Sequence, residues 1–373
     1  MAEAELNAAS LDLGTMFLQS ARDSKDGKSV VYTEERNCYR EIPFDEEFEA
    51  QLKAQNCHYM KEGQNLYVLG SQAFIQAGMA EVGADLKGTG NILKRPMKDG
   101  ILNPESPKIA LSVLRELMKG AIEKGIGPAR NGEILYFSIP ANPVDSTLNN
   151  SFHAKMAERY LCGLGYDARP INEALAVVFA ENPKMHMPSG ENVPFTGVGI
   201  SMGAGMVNFC LAERGVQLDA FSVARSGDWI DSQVSRMTGQ PTTKVMRVKE
   251  KKLNFDKIDE NDDIILALEC YYDDLVNYVF EIFAKRFSGN KGSIDHPIDV
   301  ILAGGTSNPP GFDKRVKKLL TKMDLPFEIG EIKSAGGGDT TRLLQTVARG
   351  CYIRAKQAAK KKNNAQDALN DLE

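Results

Sequence analysis

The fold is decided by the stretch Arg95-Pro96-Met97-Lys98-Asp99-Gly100 and by the glycine-containing segments on either side of it. Leu11-Asp12-Leu13-Gly14-Thr15 precedes this stretch in the chain. Two further glycine turns follow it, at Ser201-Met202-Gly203-Ala204-Gly205 and at Ala303-Gly304-Gly305-Thr306-Ser307. This order predicts an α/β protein made of two domains.

The three glycine turns are candidate phosphate-binding sites. Backbone N–H groups bind phosphate, and only small residues let the chain approach it closely. Taken one at a time, each turn is explained at least as well by ordinary hairpin or strand-end chemistry. The sequence contains neither a Walker lysine motif nor a GxGxxG fingerprint.

Length and charge set the broad class of the protein. A chain of 373 residues with 42% hydrophobic content exceeds the usual size of a single core, which predicts two domains. Its 50 acidic and 45 basic residues give a net charge of −5, and this balance does not favour a nucleic-acid partner. We expect no direct binding of DNA or RNA.

The six cysteines indicate a reducing compartment. They lie far apart and form no CxxC pair, which is typical of reduced thiols rather than disulfides or a zinc site. The first residues lack the basic and apolar regions of an export signal, and no apolar run reaches the roughly 18 residues of a membrane span. A cytoplasmic location is therefore expected.

Hydrophobic periodicity predicts strands that alternate with helices. Strands are expected at residues 134–139, 198–200, 207–211 and 298–302, and helices at 107–124 and 262–287. The more polar stretch from about residue 34 to 76 is interpreted as a small inserted subdomain. The Lys-, Ala- and Asn-rich tail at 355–373 is expected to fray.

In their order, these motifs resemble the actin-like branch of the actin, sugar kinase and heat-shock ATPase superfamily, especially the bacterial MreB-, ParM- and MamK-type proteins. Residues 69–73 and 88–100 resemble the family's approach to the Arg95–Gly100 string. Residues 171–176 resemble a helix that begins with a catalytic glutamate, and 226–231 resemble a conserved glycine-aspartate segment of the family. Residues 239–250 resemble a helix on the nucleoside side of the site. The resemblance covers about residues 10 to 354.

The resemblance implies an actin-like fold in which two related mixed-sheet domains flank a cleft for ATP or ADP and Mg²⁺. Domain I would comprise residues 1–172, with the subdomain at about 34–76 and a return at 350–373, and domain II residues 173–349. Glu173 would orient the attacking water, and Asp12 would hold Mg²⁺ through coordinated water. The residues that the resemblance assigns to nucleotide binding are Gly14, Thr15, Met16, Gly203, Ala204, Gly205, Gly227, Lys244, Arg247, Gly304, Gly305 and Thr306.

Simpler interpretations of the two acidic residues remain open. A glutamate at a helix start is favoured by the helix dipole, and an aspartate often begins a turn. The chain also departs from the family at the site. Ser201 stands in place of an aspartate, Met206 in place of a threonine, and Phe17 in place of a small polar residue. Lys244 stands where an acidic residue commonly contacts ribose. With one metal-side charge missing, we expect slow or conditional ATP hydrolysis.

Two functions follow from the resemblance. The first is a cytoskeletal protein that assembles with itself head to tail into filaments, with an adaptor protein as a possible partner. The alternative is a nucleotide-binding scaffold that does not polymerise or does not hydrolyse ATP, which Ser201 and Met206 favour. Membrane attachment is not expected, because the acidic start around Glu3 and Glu5 offers no basic face. The glycine-rich segment 335–341 is open to two interpretations, a surface loop or a filament contact.

Overall fold

A computed structural model of the chain describes residues 7–83, 93–181, 184–186, 192–290 and 296–370. The start at Glu3 and Glu5 and the segment around Gly88 lie outside the described residues. The chain divides into two compact units. Unit 1 contains Met1–Ile139, Ser151–Pro170 and Cys351–Glu373, and unit 2 contains Pro140–Asn150 and Ile171–Gly350.

Unit 1 is built on a five-stranded sheet and a smaller three-stranded sheet. Its strands are β1 (Ala8–Leu13), β2 (Phe17–Asp23), β3 (Val30–Arg36), β4 (Tyr39–Pro43), β5 (Tyr59–Glu62), β6 (Asn65–Leu69), β7 (Met97–Lys98), β8 (Ile101–Leu102), β9 (Ile134–Ile139) and β10 (Asp167–Asn172). Its first helices are α1 (Glu46–Ala54), α2 (Gly70–Gly83), α3 (Pro107–Gly125) and α4 (Ser151–Gly163). The large sheet has the order β3-β2-β1-β9-β10. Strand β2 pairs antiparallel with both β1 and β3, whereas β1 pairs parallel with β9.

Helix α3 covers one face of this sheet, and the predicted helix at 107–124 is confirmed. Its buried stripe includes Val113, Leu114 and Leu117, which join Leu11 and Leu13 of β1 in one apolar cluster. Apolar residues spaced three and four apart share one helix face, so the stripe fixes which side of α3 meets the sheet.

The string Arg95–Gly100 contributes a tight hairpin to unit 1. Strands β7 and β8 pair antiparallel through Met97 with Leu102. The two connecting residues, Asp99 and Gly100, both have positive φ, at 47° and 73°. An Asp-Gly pair is among the few residue pairs that adopt this turn readily, which explains why Asp99 and Gly100 occupy these two positions.

Unit 2 is built on a second five-stranded sheet with the order β15-β14-β13-β16-β17. Its elements are the strands β11 (Lys184–His186), β12 (Asn192–Pro194), β13 (Gly197–Met202), β14 (Val207–Glu213), β15 (Val216–Val223), β16 (Ile298–Ala303) and β17 (Ile329–Ser334), and the helices α5 (Glu173–Glu181), α6 (Gly227–Thr238), α7 (Thr242–Lys251), α8 (Asp263–Phe287), α9 (Phe312–Leu320) and α10 (Thr340–Leu344). The last helix, α11 (Thr346–Asn370), begins in unit 2 and belongs to unit 1 from Cys351 onward. Short 3₁₀ turns lie at Ser288–Asn290, Gly305–Ser307 and Ala335–Gly338. Strand β14 pairs antiparallel with β13 and β15, and β13 pairs parallel with β16. This repeats the pattern of unit 1, so β13 and β14 correspond to β1 and β2.

The long helix α8 packs on this second sheet through an aromatic core. Phe280 and Phe283 contact Phe209 of β14, at ring centroid distances of 5.9 and 6.2 Å. Asp262 caps the helix by accepting hydrogen bonds from the N–H groups of Ile264 and Ile265. The helix predicted at 262–287 is confirmed, and the cap explains where it begins.

The expectation that the tail frays is wrong as far as Asn370, because α11 continues to that residue. Ala355 and Ala359 are buried on unit 1, and Lys356 pairs with Asp23 at 3.3 Å. Alanine and lysine are strong helix formers, so their abundance favours a helix once one face is packed.

Part of the glycine-rich segment 335–341 is anchored rather than free at the surface. Gly336 is buried, and its N–H donates to Glu181 at 3.1 Å. Its φ of +78°, and a Leu343 nitrogen 2.8 Å from where a Cβ would lie, require glycine at this position. Gly337 and Gly338 are exposed.

None of the helices in the described part of the chain is both long enough and apolar enough to cross a lipid bilayer.

The buried His153 of α4 gives unit 1 a pH-sensitive stability. Burial lowers the pKa of this histidine to about 4, and neither ring nitrogen has a hydrogen-bond partner among the described residues. The unfolded chain therefore binds more protons between about pH 4 and pH 6.5, and the free energy of unfolding falls as the pH drops through that window.

We predict that His153→Leu removes this pH dependence and is neutral or stabilising at pH 7, because it replaces an unpaired buried polar group by an apolar one. Relative to the natural chain, the free energy of unfolding of the variant would rise by up to about 3 kcal/mol at pH 4.5. Urea unfolding from pH 4.5 to 8, with His296→Leu as the control, measures the difference. Parallel curves for the natural chain and His153→Leu would contradict the prediction.

Candidate functional site

In the hairpin turn at residues 203–206 of unit 2, hydrogen bonds fix the orientation of the Gly203 carbonyl group. The Gly203 N–H donates to the Met206 carbonyl at 3.0 Å and closes the turn. The Gly203 carbonyl accepts a hydrogen bond from Thr306 Oγ1 at 2.9 Å and one from the Gly227 N–H at 3.2 Å. The second and third predicted segments therefore meet at one backbone oxygen.

The next carbonyl group in the turn is held by the start of α6. The Ala204 carbonyl accepts from the Asp228 N–H at 2.8 Å and from the Ser226 hydroxyl. Because a trans peptide places C=O and N–H on opposite sides, fixing these two carbonyls directs the N–H groups of Ala204 and Gly205 the other way. Neither N–H donates to an acceptor in the described part of the chain.

Two successive backbone N–H groups without acceptors form a concavity that binds anions. Unsatisfied N–H groups are rare in folded proteins, and a fixed turn that leaves two of them without an acceptor among the described residues is suited to an oxyanion such as phosphate. Gly203, Ala204 and Gly205 lie in the turn as the sequence predicted.

Close approach explains two other glycines near this turn. A Cβ on Gly227 would lie 2.5 Å from Thr306 Oγ1, and one on Gly304 would lie 2.5 Å from the Met202 carbonyl oxygen. Gly304 also has a φ of +91°. These contacts require glycine at both positions, whatever the site binds.

Helix α7 contacts the start of α6 through a residue that sequence reasoning missed. Lys249 Nζ donates to the Gly227 carbonyl at 3.2 Å and pairs with Asp231 at 2.7 Å. Both side chains are largely buried. Lys244 is exposed and contacts Gln240 at 2.9 Å, and Arg247 is exposed. The nucleoside-side roles of Lys244, Arg247 and Gly305 stay predictions.

Glu173 is the first residue of α5, and two side chains of unit 2 hold its carboxylate. Asn208 Nδ2 donates to Oε2 at 3.0 Å, and Ser201 Oγ donates to the same oxygen at 3.3 Å. Ser201 and Asn208 are directly opposite each other on β13 and β14. A favourable helix dipole alone would not require these two donors.

The serine that departs from the family pattern therefore has a role in the structure. Ser201 is buried, and its hydroxyl contacts the Glu173 carboxylate. A serine supplies a donor where the family aspartate would supply a second negative charge. The departure keeps Glu173 in place and leaves this strand end without a carboxylate for a metal shell.

The first turn, in unit 1, is organised in the same way by one buried asparagine. Asn37 Nδ2 donates to the Gly14 carbonyl at 2.9 Å, and the Asn37 N–H donates to the Met16 carbonyl at 2.9 Å. The Gly14 carbonyl is thus fixed, which directs the Thr15 N–H to the opposite side. A Cβ on Gly14 would lie 2.5 Å from the Phe17 carbonyl oxygen, so the turn requires glycine there.

Asn37 also connects this turn to the Arg95–Gly100 string. Its Nδ2 lies 3.1 Å from Met97 Sδ, and Met97 is buried. The string therefore contacts the residue that holds the turn through the side chain of Met97.

Asp12, the predicted metal-side residue, ends β1 beside this turn. Ser138 Oγ donates to Asp12 Oδ1 at 2.6 Å and accepts from the Leu13 N–H at 2.8 Å. Burial raises the pKa of Asp12 to about 6, and the hydrogen bond from Ser138 acts against the rise. A carboxylate that resists ionisation gains a favourable partner when a cation binds nearby.

In the described part of the chain, no group of three His, Cys, Asp or Glu residues is arranged to hold a metal ion. Mg²⁺ usually keeps several waters and takes only one or two carboxylates together with phosphate oxygens. Asp12 fits that sparse mode of binding, and Ser201 adds no charge to it.

The residues missed by sequence reasoning are Asn37, Ser138, Asn208 and Lys249. Ser138 and Asn208 are each flanked by apolar residues within their strands, and both are fully buried. A polar side chain that is buried in an otherwise apolar strand needs a hydrogen-bond partner. A single serine or asparagine between apolar residues was therefore the feature of the sequence that could have indicated these two positions. Nothing local marks Asn37 or Lys249.

Comparison with known proteins decides the family. The family model described as Volactin matches residues 8–355. The chain belongs to the Volactin family. No curated protein matches the sequence.

Solved structures similar to this Volactin-family chain share its fold. A structure of the MamK double helical filament has a TM-score of 0.63 at 17% identity and covers 94% of this chain and 99% of that chain. MreB 5 of Spiroplasma citri bound to AMPPNP has a TM-score of 0.63 at 16% identity, covering 96% and 98%. The ethanolamine utilization protein EutJ from Carboxydothermus hydrogenoformans has a TM-score of 0.53 at 13% identity, covering 92% and 88%. The expected actin-like fold is confirmed.

If the turn at residues 203–206 binds phosphate groups, we predict that Thr306→Val weakens the binding of ATP, used as the probe, by about 3- to 10-fold, because the isosteric side chain no longer donates to the Gly203 carbonyl and the turn loses its fixed orientation. Calorimetric titration with ATP and Mg²⁺ measures this change. Thr321→Val, which removes a surface hydroxyl bonded to Lys318, is the control and should bind like the natural chain. Equal affinities for all three proteins would contradict the prediction.

Asp12→Asn is predicted to stabilise the ligand-free protein at pH 8 and to leave its stability near pH 4 unchanged. An acid whose pKa is raised in the folded state binds more protons there than in the unfolded chain, so its stabilising effect is lost as the pH rises from about 4 to 6. The amide cannot titrate and still accepts from Ser138. Thermal unfolding at both pH values tests this, and a variant less stable than the natural chain at pH 8 would refute it.

Proposed function

We propose that this protein binds ATP and ADP with Mg²⁺, assembles with itself head to tail into filaments, and hydrolyses ATP slowly. The observation that carries the proposal is the turn at residues 203–206. It holds two N–H groups without acceptors and follows directly on the strand whose Ser201 contacts the Glu173 carboxylate.

Binding would be provided by backbone N–H groups of the glycine-containing turns. The N–H groups of Ala204 and Gly205, and that of Thr15 in unit 1, would donate to phosphate oxygens. Backbone donors of this kind bind phosphate independently of the Walker lysine that the sequence lacks. The adenine nucleotides seen with MreB 5 of Spiroplasma citri, AMPPNP and ADP, support the choice of ligand.

Glu173 would act as the residue that orients water. Its carboxylate accepts hydrogen bonds from Ser201 and Asn208, which restricts its rotamer and so its direction. Bound Mg²⁺ would offset negative charge on the phosphates, with Asp12 holding one of its waters. Because Ser201 contributes no charge, we expect slow turnover.

Filament formation is supported by the fold and by the MamK double helical filament, which shares it. Head-to-tail contacts between identical copies generate open polymers. An adaptor protein as partner and a cytoplasmic location remain part of the proposal, as do the absence of direct nucleic-acid binding and of membrane attachment.

A scaffold that binds nucleotide without turnover is the second candidate. It is favoured by Ser201 and by Met206, which is buried and presents a thioether to the Ser222 hydroxyl at 3.4 Å. Neither group supplies metal-side charge, so binding could persist without hydrolysis.

Glu173→Gln separates these possibilities. We predict that the variant binds ATP as the natural chain does, sediments as filaments with ATP and Mg²⁺, and releases phosphate at least about tenfold more slowly. Phosphate release, pelleting and electron microscopy of the same samples measure the three properties. Glu213→Gln, at the exposed end of β14, is the matched control.

Each possible failure of this experiment has a distinct meaning. Equal phosphate release by Glu173→Gln and the natural chain would refute the catalytic role. ATP binding by the natural chain with no phosphate release over hours would favour the scaffold. A natural chain that binds ATP but forms no pellet and no filaments would refute polymerisation.

A further inference from the structure

The guanidinium of Arg36 is held beside the first turn by two aromatic rings. It lies 4.7 Å from the centre of the Phe17 ring and 3.8 Å from that of Phe74. Phe17 immediately follows the turn, and Phe74 belongs to α2 of the small subdomain. Contacts with two rings restrict the position of the cation.

Arg36 also occupies the same face of the sheet as Asp12. Asp12 is directly opposite Gln19, and Phe17 is directly opposite Arg36. Residues two apart on a strand share a face of the sheet, and so do residues directly opposite each other on neighbouring strands. The face that carries Asp12 therefore also carries Gln19, Phe17 and Arg36. Arg36 stands at the end of the sheet where the turn is, and its Nη1 lies 4.0 Å from Met16 Sδ.

The charge of Arg36 has no acidic partner in the described part of the chain. Among the described residues, no carboxylate lies within ion-pair distance of its guanidinium. The carboxylate of the neighbouring Glu35 instead accepts from the N–H and hydroxyl of Ser71. A half-buried guanidinium with five donors and one weak sulfur contact retains most of its capacity to bind an anion.

Arg95, from the string docked on this turn, adds to the positive field. Burial raises the pKa of the Cys38 thiol to about 12, and the charges of Arg36 and Arg95 both oppose this rise. Both cations therefore act on the short segment that carries Asn37.

We propose that Arg36 is a phosphate ligand of this site: it binds the phosphate chain of the nucleotide whose backbone contacts come from the Gly14–Met16 turn. The inference rests on the proposed nucleotide binding. It also explains a departure from the bacterial actin-like pattern that the sequence resembles, since Phe17 replaces a small polar residue and supplies one of the two rings that hold Arg36. The chain thus lacks one acidic group at Ser201 and carries one additional cation near the phosphates.

The test is the affinity of Arg36→Gln for ATP, ADP and adenosine, measured by calorimetry in Mg²⁺. A lost charge-assisted hydrogen bond should weaken ATP binding by about 10- to 100-fold and leave adenosine binding unchanged. Arg36→Lys keeps the positive charge but loses the planar, two-pronged donor group of arginine. Its affinity for ATP should therefore lie between that of Arg36→Gln and that of the natural chain. Arg115→Gln removes an arginine that stacks on Tyr160 in the same unit and should bind like the natural chain.

Several outcomes would overturn the proposal. If Arg36→Gln binds ATP within about twofold of the natural chain but needs a higher concentration to polymerise, Arg36 contacts a neighbouring subunit. If Arg36→Gln lowers only the melting temperature, the contacts of Arg36 with Phe17 and Phe74 serve only to stabilise the packing of α2 on the sheet. An equal loss for adenosine and ATP would mean that the variant deforms the site. A natural chain that binds no nucleotide would instead refute the proposed function itself.

Discussion

The candidate site depends on where two turns direct their peptide groups. In unit 2, the Gly203 and Ala204 carbonyls are fixed by Thr306, Gly227, Ser226 and Asp228. In unit 1, the Gly14 carbonyl is fixed by the side chain of Asn37. Since the peptide is planar and trans, each fixed carbonyl also fixes the N–H on the other side of the bond. Each turn thus presents N–H groups in a fixed direction, which suits them to the phosphate binding that we propose.

In both units, the turn whose carbonyl groups are fixed follows the central strand of a five-stranded sheet, and the two sheets have the same strand order. The residues that fix the carbonyl groups differ between the two units. Unit 1 uses one asparagine from the segment after β3, whereas unit 2 uses the start of α6 and the 3₁₀ turn after β16. Lys249 and its buried partner Asp231 keep that helix start in place. The surrounding Gly14, Gly227 and Gly304 are needed because neighbouring oxygen atoms lie 2.5 Å from where a Cβ would be.

Much of this was readable from the sequence. Apolar periodicity located α3, α8 and the central strands, because burial on one face leaves a regular pattern. The glycine turns were recognisable since close approach and positive φ exclude larger residues, and the Asp-Gly pair marked a hairpin. Their order then indicated the actin-like fold that the structure confirms.

What the sequence did not reveal comes from contacts between distant residues. Asn37 and Lys249 act on turns far away in the chain, and no local pattern announces such a partner. The tail was misread because its composition is polar, whereas a few alanines on one face suffice to pack a helix. Lys244 and Arg247 were assigned by resemblance alone, and the contact that α7 makes with the start of α6 comes from Lys249.

The orientation of the turns can be tested directly by hydrogen exchange of individual amides with and without ATP and Mg²⁺. If the turns bind phosphate, the N–H groups of Thr15, Ala204 and Gly205 will exchange more slowly with ATP present and at an unchanged rate with adenosine. Unchanged exchange at all three amides, under conditions where ATP binds, would show that the nucleotide is held elsewhere.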